Sequence, residues 1–224
     1  MWRQKGIIVS CQAHEEEPLH GPQIMKAMAD AAQQGGAIGI RANGVTDVSY
    51  IKQKVNLPVI GILKKQYTGF IPKITPTLED ALAIAYAGAD IIAMECTKNE
   101  RPDKRTLKET IQYLKTHTKC KIMADISTLE EAEYAFKSGV DYIGTTLAGY
   151  TKETRHVQKP AFSLMKDLVN KFPLPIIAEG GIETPEHVMR IFKMGISWIV
   201  IGSAITRPQY ITEKLVNSIN ERKF

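Results

Sequence analysis

Cysteine is scarce in this sequence. Cys11, Cys96 and Cys120 are an odd set, and no two stand at CxxC spacing. They fit reduced thiols in a cytosolic protein better than a disulfide framework or a zinc site. No uncharged apolar run is long enough to span a bilayer, so a membrane is not an expected partner. The start, MWRQKGIIVSC, carries Lys5 with no long apolar stretch after it, which speaks against a signal peptide. Aromatic residues make up 7% of the chain and no basic run is interleaved with them, so nucleic acid is not an expected partner either. His14, His20, His117, His156 and His187 fall in loops or helices and offer no closed metal-ligand set. There is no linker or low-complexity stretch, and residues 1–224 read as one domain.

What is present is ordinary in amount and regular in order. Hydrophobic residues make up 44% and charged residues 24%, with a formal net charge of +5. A lysine-rich solvated surface accounts for that charge, and a positive field also raises the local concentration of anionic small molecules. Eight apolar runs, GIIVSC, AIGIRA, PVIGILK, ADIIAMEC, CKIMADI, VDYIGTT, PIIAEGG and SWIVIGS, alternate with segments of helical spacing. Near-continuous apolar strands between amphipathic helices indicate a parallel sheet covered by helices. TLEDALAIAYAGADII, TLEEAEYAFKSGVDYI and TPEHVMRIFKMGISWI form a weak internal repeat. Thr77, Thr128 and Thr184 are placed to cap helices, Pro185 suits a first helical position, and Gly88, Gly139 and Gly195 suit helix ends. Eight such units predict an α/β protein, a (β/α)8 TIM barrel, with a final helix near residues 209–221. A doubly wound open sheet is the alternative, weakened because no GxGxxG turn follows the first strand.

Chemistry in such a barrel sits at the C-terminal strand ends. Reading each strand to its end gives Gln12, Arg41, Lys64, Glu95, Asp125, Thr145 with Thr146, Glu179, and Gly202 with Ser203. These eight ends are expected to converge on one mouth. Gly180 and Gly181 after strand 7, and Gly202 and Ser203 after strand 8, fall where barrels hold a phosphate: bare backbone N–H groups can approach an anion there. Arg207 is positioned to add a charge. Lys64 and Glu179 lie four strands apart in a ring of eight and would face each other across the mouth. That arrangement suits proton removal beside a carbonyl and its return. A lysine base must have its ordinary pKa lowered, by partial burial and a nearby cation, for which Arg41 is the candidate. Strand position leaves Lys64 and Lys65 undecided, since only one of two neighbours points inward.

The motifs IIVSCQA, IGILK, ADI after strand 5, GTTLAGYT, IIAEGGIETPE and VIGSAITRP, in this order from Gln12 to Arg207, resemble those of the N-acetylmannosamine-6-phosphate 2-epimerase family. The resemblance implies conversion of N-acetyl-D-mannosamine 6-phosphate to N-acetyl-D-glucosamine 6-phosphate in amino-sugar and sialic-acid breakdown, with no metal or organic cofactor. It implies Lys64, not Lys65, as proton shuttle at C2, Glu179 as its acidic partner, and Arg41 and Asp125 as groups that orient the sugar and stabilise charge at O1. Gln12 is implied near the carbonyl or N-acetyl group, with Thr146 and Tyr150 as further substrate contacts. A homodimer is the expected assembly. The competing readings are a metal-dependent pentose-phosphate epimerase, an inactive phosphosugar-binding regulator, and an isomerase or lyase of histidine or tryptophan biosynthesis.

Overall fold

The computed structural model describes Trp2 and residues 4–220. Its strands are β1 Gly6–Cys11, β2 Gly39–Asn43, β3 Val59–Ile62, β4 Ile91–Glu95, β5 Lys121–Asp125, β6 Tyr142–Gly144, β7 Ile176–Glu179 and β8 Trp198–Ile201. All pair in parallel, and β8 closes on β1 through Ile7 opposite Ile199 and Val9 opposite Ile201. The helices are α1 Pro22–Gln34, α2 Val45–Lys52, α3 Leu78–Tyr86, α4 Leu107–His117, α5 Leu129–Ser138, α6 Phe162–Lys171, α7 Pro185–Lys193, α8 Ser203–Thr206 and α9 Pro208–Asn220. The predicted (β/α)8 barrel is the fold observed. The eighth unit splits into α8 and α9, and Glu221, the last residue of the expected final helix, lies outside the described residues.

Alternate strand residues divide the core in two. Ile8, Ile60, Ile91, Met123, Ile177 and Val200 fill the barrel interior. Their neighbours Val9, Val59, Ile92, Ile122, Ala178 and Ile199 pack outward under the helices. Full burial of each large aliphatic side chain is worth about 1.5–3 kcal/mol, so both layers drive closure. Trp2, Tyr142 and Trp198 plug the N-terminal end, with ring centroids 5.2–6.3 Å apart. The mouth is thereby left as the open end.

Local sequence sets the helix starts. Thr77 and Thr128 accept from the N–H groups of Asp80 and Glu131 and complete capping boxes with them, Thr106 does the same with Glu109, and Thr184 accepts from His187. Pro185 stands in the first turn of α7 as expected. Gly88, Gly139 and Gly195 follow helix ends with φ of +98°, +93° and +92°. None of the described helices is long and apolar enough to cross a membrane.

Candidate active site

The C-terminal barrel mouth opens into a cleft of about 640 Å³. Gln12, Arg41, Lys64, Thr146, Tyr150, Glu179, Gly180, Gly181, Gly202, Ser203 and Arg207 all line it. Asp125, the remaining expected site residue, lies directly beneath, 0% exposed.

Arg41 anchors the floor. Its guanidinium, 1% exposed, donates from Nη1 and Nη2 to Asp125 Oδ1 and Oδ2 at 3.1 and 2.5 Å, and Nη1 stands 3.1 Å from Glu179 Oε2. The Thr146 hydroxyl donates to Asp125 Oδ1 at 2.6 Å and sits 3.2 Å from Glu179 Oε2. The Glu179 backbone is fixed as well: its N–H donates to Thr145 Oγ1, whose hydroxyl donates to the Glu179 carbonyl. Paired, planar contacts of this kind leave the buried charges little freedom to move. Among the described cleft residues, Arg41 Nε and Arg207 Nε, both donors, and Gln12 Oε1, an acceptor, stay buried without a protein partner. Gln12 Nε2 is spent on Ser10 Oγ at 2.7 Å.

Lys64 lies two residues past β3 and forms an isolated antiparallel bridge with Ile74. Its N–H donates to Asn43 Oδ1 at 2.8 Å. Its position continues the inward series Ile60, Ile62. Lys65 points the other way, to Asp80 at 3.6 Å and the Tyr67 ring. Among the described residues the Lys64 amine has no hydrogen-bond or ion-pair partner. Lys64 is exposed, and its side chain opens into the concave cleft rather than onto the outer surface of the barrel.

The two groups facing the cleft are shifted toward each other. Desolvation lowers the Lys64 pKa below the ordinary lysine value, and Arg41 lowers it further, against the pull of Glu179 and Asp125. Burial pushes the Glu179 carboxyl up to about 7, Asp125 reinforcing this while Arg41, Thr146 and Lys64 oppose it. A lysine moved down and a glutamate moved up are each better suited to give and take a proton than their unperturbed forms.

At the other end of the cleft the backbone is bare. Gly180 and Gly181 take φ of +105° and +67°, and a Cβ on Gly181 would meet Lys159 Cβ at 2.5 Å. Gly202 and Ser203 follow β8 at the start of α8. Arg207 lines this end, but its guanidinium pairs with Glu17. The Tyr150 ring, 60% exposed, lies 3.8 Å under the Lys159 amine.

One strand end departs from the expected convergence. The Glu95 carboxylate does not line the cleft; it accepts from the N–H of Lys73 and the hydroxyl of Thr97, both at 3.0 Å. The loop after β3 has backbone donors to satisfy, and Glu95 satisfies one of them. The sequence reading also missed Ser10, Asn43 and Lys159, all of which line the cleft. Ser10 and Asn43 were accessible in principle, each two residues from a chosen strand-end residue and so on the same face. Lys159 sits in the long segment after β6 and carries no periodic signal.

The family model described as "Putative N-acetylmannosamine-6-phosphate epimerase" (NanE) matches residues 25–221. The chain belongs to this family. A protein of Caldanaerobacter subterraneus subsp. tengcongensis is 47% identical over 222 residues, covering 99% of this chain and 94% of its own. One from Clostridioides difficile is 48% identical over 213 residues, covering 95% of each. Both bear the name "Putative N-acetylmannosamine-6-phosphate 2-epimerase". The solved structure of the N-acetylmannosamine-6-phosphate 2-epimerase from Clostridium perfringens superposes with a TM-score of 0.92 at 41% identity, covering 95% of this chain and 93% of that one. A thiamine phosphate pyrophosphorylase from Pyrococcus furiosus shares the fold alone, with a TM-score of 0.61 at 18% identity. Membership of the epimerase family makes this chain an epimerase, an isomerase of the carbohydrate class.

Proposed function

We propose that this epimerase inverts C2 of N-acetyl-D-mannosamine 6-phosphate to give N-acetyl-D-glucosamine 6-phosphate, in amino-sugar and sialic-acid breakdown. The observation that carries the reading is the pairing of a lowered-pKa Lys64 with a raised-pKa Glu179 in one cleft, over the buried Arg41–Asp125 pair. The substrate's phosphate binds the bare backbone at Gly180–Gly181 and Gly202–Ser203, which fixes one end of the sugar. Arg207 contributes from the rim while shared with Glu17. The other end lies between Lys64 and Glu179.

The ring-opened sugar presents an aldehyde at C1, which acidifies the hydrogen on C2. Lys64 takes that proton, the C2–H electron pair moves into a C1–C2 double bond, and negative charge collects on O1. Arg41, held rigid by Asp125, stabilises that charge without reorganising. Its unpaired Nε–H and the unpaired Gln12 Oε1 offer a donor and an acceptor to a ligand with both polarities, which an acetamido sugar has. Thr146 and Tyr150 complete the contacts. A proton returned to the opposite face of C2 inverts the centre, and Glu179 stands on the side to deliver it. The net change moves one proton and no electrons, so the chemistry calls for no redox cofactor.

Proton NMR in deuterated water tests this. Each of the two sugar phosphates, incubated alone, is expected to yield the other with deuterium at C2. Absence of interconversion would sink the reading. Substantial carry-over of the original C2 hydrogen would replace the two-residue scheme with a single base.

The partner reading extends to a second copy of the chain. Residues 212–219 of α9 are exposed on every side, and Leu215, Val216 and Ile219 are 64%, 49% and 62% exposed. An apolar helix face of this kind is covered in a homodimer. Light scattering showing a monomer at micromolar concentration would overturn it. A cytoplasmic location suits the free thiols of Cys11, Cys96 and Cys120.

A further inference from the structure

Thr75 is a β-branched residue with φ of +49° and no exposure to solvent. Such a residue is rare in the left-handed region and persists there only when its surroundings hold it. Here they do. The Thr75 hydroxyl donates to the Ala93 carbonyl at 2.7 Å and accepts from the Leu63 N–H at 3.1 Å, while the Thr75 N–H donates to the Leu63 carbonyl at 2.8 Å. Thr75 therefore grips both polar groups of the residue immediately before Lys64. The bridge between Lys64 and Ile74, and the Lys65 N–H donating to the Lys73 carbonyl, extend the grip across Lys64 itself.

The strap formed by Lys73, Ile74 and Thr75 is held in turn by β4 and the loop after it. Glu95 receives the Lys73 N–H on its carboxylate and gives its own N–H to the Ile74 carbonyl at 2.8 Å. Arg101, 7% exposed, donates to the Thr75 carbonyl at 3.1 Å and the Glu95 carbonyl at 3.0 Å. A planar guanidinium bridging two carbonyls ties the strap to the strand end it crosses. None of these groups except Ile74 lines the cleft. Their shared output is the position of the Leu63–Lys65 backbone, the foundation of an amine that has no side-chain partner of its own.

We infer that Thr75, clamped by Arg101, is a positioning residue for the epimerisation: it holds the Lys64 backbone so that the amine stays over the cleft beside Arg41. The inference rests on the reading of Lys64 as the proton-transfer group. Loss of position of roughly an ångström costs turnover steeply while leaving binding energy from the phosphate in place.

The test is a pair of substitutions. Thr75→Gly suits φ of +49°, which preserves the fold while removing the hydroxyl. Thr75→Ser keeps the hydroxyl. For Thr75→Gly, kcat is expected to fall about 10- to 100-fold with KM within about threefold. The ascending limb of its pH profile should move to higher pH, because an amine displaced toward solvent escapes the desolvation, and then the Arg41 charge, that lower its affinity for protons. Thr75→Ser should stay within about threefold of the parent in kcat. Unchanged kcat and pH profile in Thr75→Gly, or Thr75→Ser as impaired as Thr75→Gly, would overturn the inference. Arg101→Lys, which cannot bridge both carbonyls, is the second variant should Thr75→Gly not fold; it too should lose kcat without KM, and parent-like kcat there would overturn the inference. Lys64→Ala is the control that separates the two layers. If it remains active the reading of Lys64 fails; if it is dead while Thr75→Gly turns over normally, only the positioning inference fails.

Discussion

On the β2, β5 and β6 side of the mouth, the wall is buried charge, to which the proposed function assigns proton transfer. Arg41 and Asp125 are 1% and 0% exposed and doubly hydrogen-bonded, and Glu179 is drawn into the same cluster. On the β7 and β8 side the wall is bare backbone, Gly180 and Gly181 at positive φ and Gly202 and Ser203 at the start of α8, with the Arg207 guanidinium paired to Glu17. The difference fits the role proposed for each wall. Moving a proton requires side chains whose pKa values are tuned and whose positions are fixed, and burial supplies both. Holding a phosphate requires only donors, and backbone N–H groups do not titrate. The catalytic wall is therefore expected to be sensitive in stability and rate together, and the anion wall in affinity alone.

The largest break in that comparison is Lys64→Ala. A positioned general base contributes about 10²- to 10⁴-fold, and kcat should drop by that factor or more while circular dichroism stays native. Asp125→Ala comes next. It leaves the Arg41 guanidinium buried without its main partner, a loss of about 3–5 kcal/mol, seen as a thermal midpoint lower by roughly 10 °C. A stable Asp125→Ala variant would show that the charged wall is not held together by this pair.

Glu179 sharpens the comparison through pH. Its folded pKa, raised to about 7, lies above the unfolded value, so the folded state binds the extra proton between the two. Stability associated with this carboxyl is accordingly present below the unfolded value and is lost as pH rises through about 7. Glu179→Gln, which cannot ionise, should gain stability relative to the parent on going from pH 4 to pH 8, by up to about 3 kcal/mol. Equal pH dependence of the two midpoints would remove the case for a raised carboxyl.

How far these walls were legible in the sequence depends on what each residue signals locally. The capping threonines and the alternation of apolar runs with helical segments are short-range features, and the barrel followed from them. Lys64 and Lys65 could not be separated by pattern, because VIGIL is apolar on both faces of a buried parallel strand and leaves no polar side to count from. Glu95 looked like a third inward acid, but its partners Lys73 and Thr97 lie on loops whose path no periodicity encodes. The pairing of Arg207 with Glu17 joins residues at opposite ends of the chain, and the Lys159 stem against Gly181 comes from a segment without regular structure. Strand ends can be read from the chain; loop-borne partners need the fold.

The anion wall has its own test. At Gly202 an added Cβ would meet Ser10 Cβ at 3.4 Å, ordinary contact, so there is room for an alanine methyl. Gly202→Ala should fold with an unchanged midpoint and raise KM for the sugar phosphate about tenfold, with a smaller effect on kcat. A fall in kcat at constant KM would mean that the two walls are not separable.

The smallest effect is expected at Lys65, one residue from the largest. Its amine stands 3.6 Å from Asp80 and 4.7 Å from the Tyr67 ring centroid, half exposed, on the far side of the backbone from the cleft. Asp80 does not depend on it, since the N–H and hydroxyl of Thr77 and the Tyr67 hydroxyl all donate to the same carboxylate. Exposed pairs of this kind contribute little. Lys65→Ala should therefore keep kcat, KM and pH profile at parental values. Adjacent lysines would then differ in turnover by the full contribution of a general base, and a substantial loss in Lys65→Ala would show that the side of the strand, rather than the charge itself, had been misassigned.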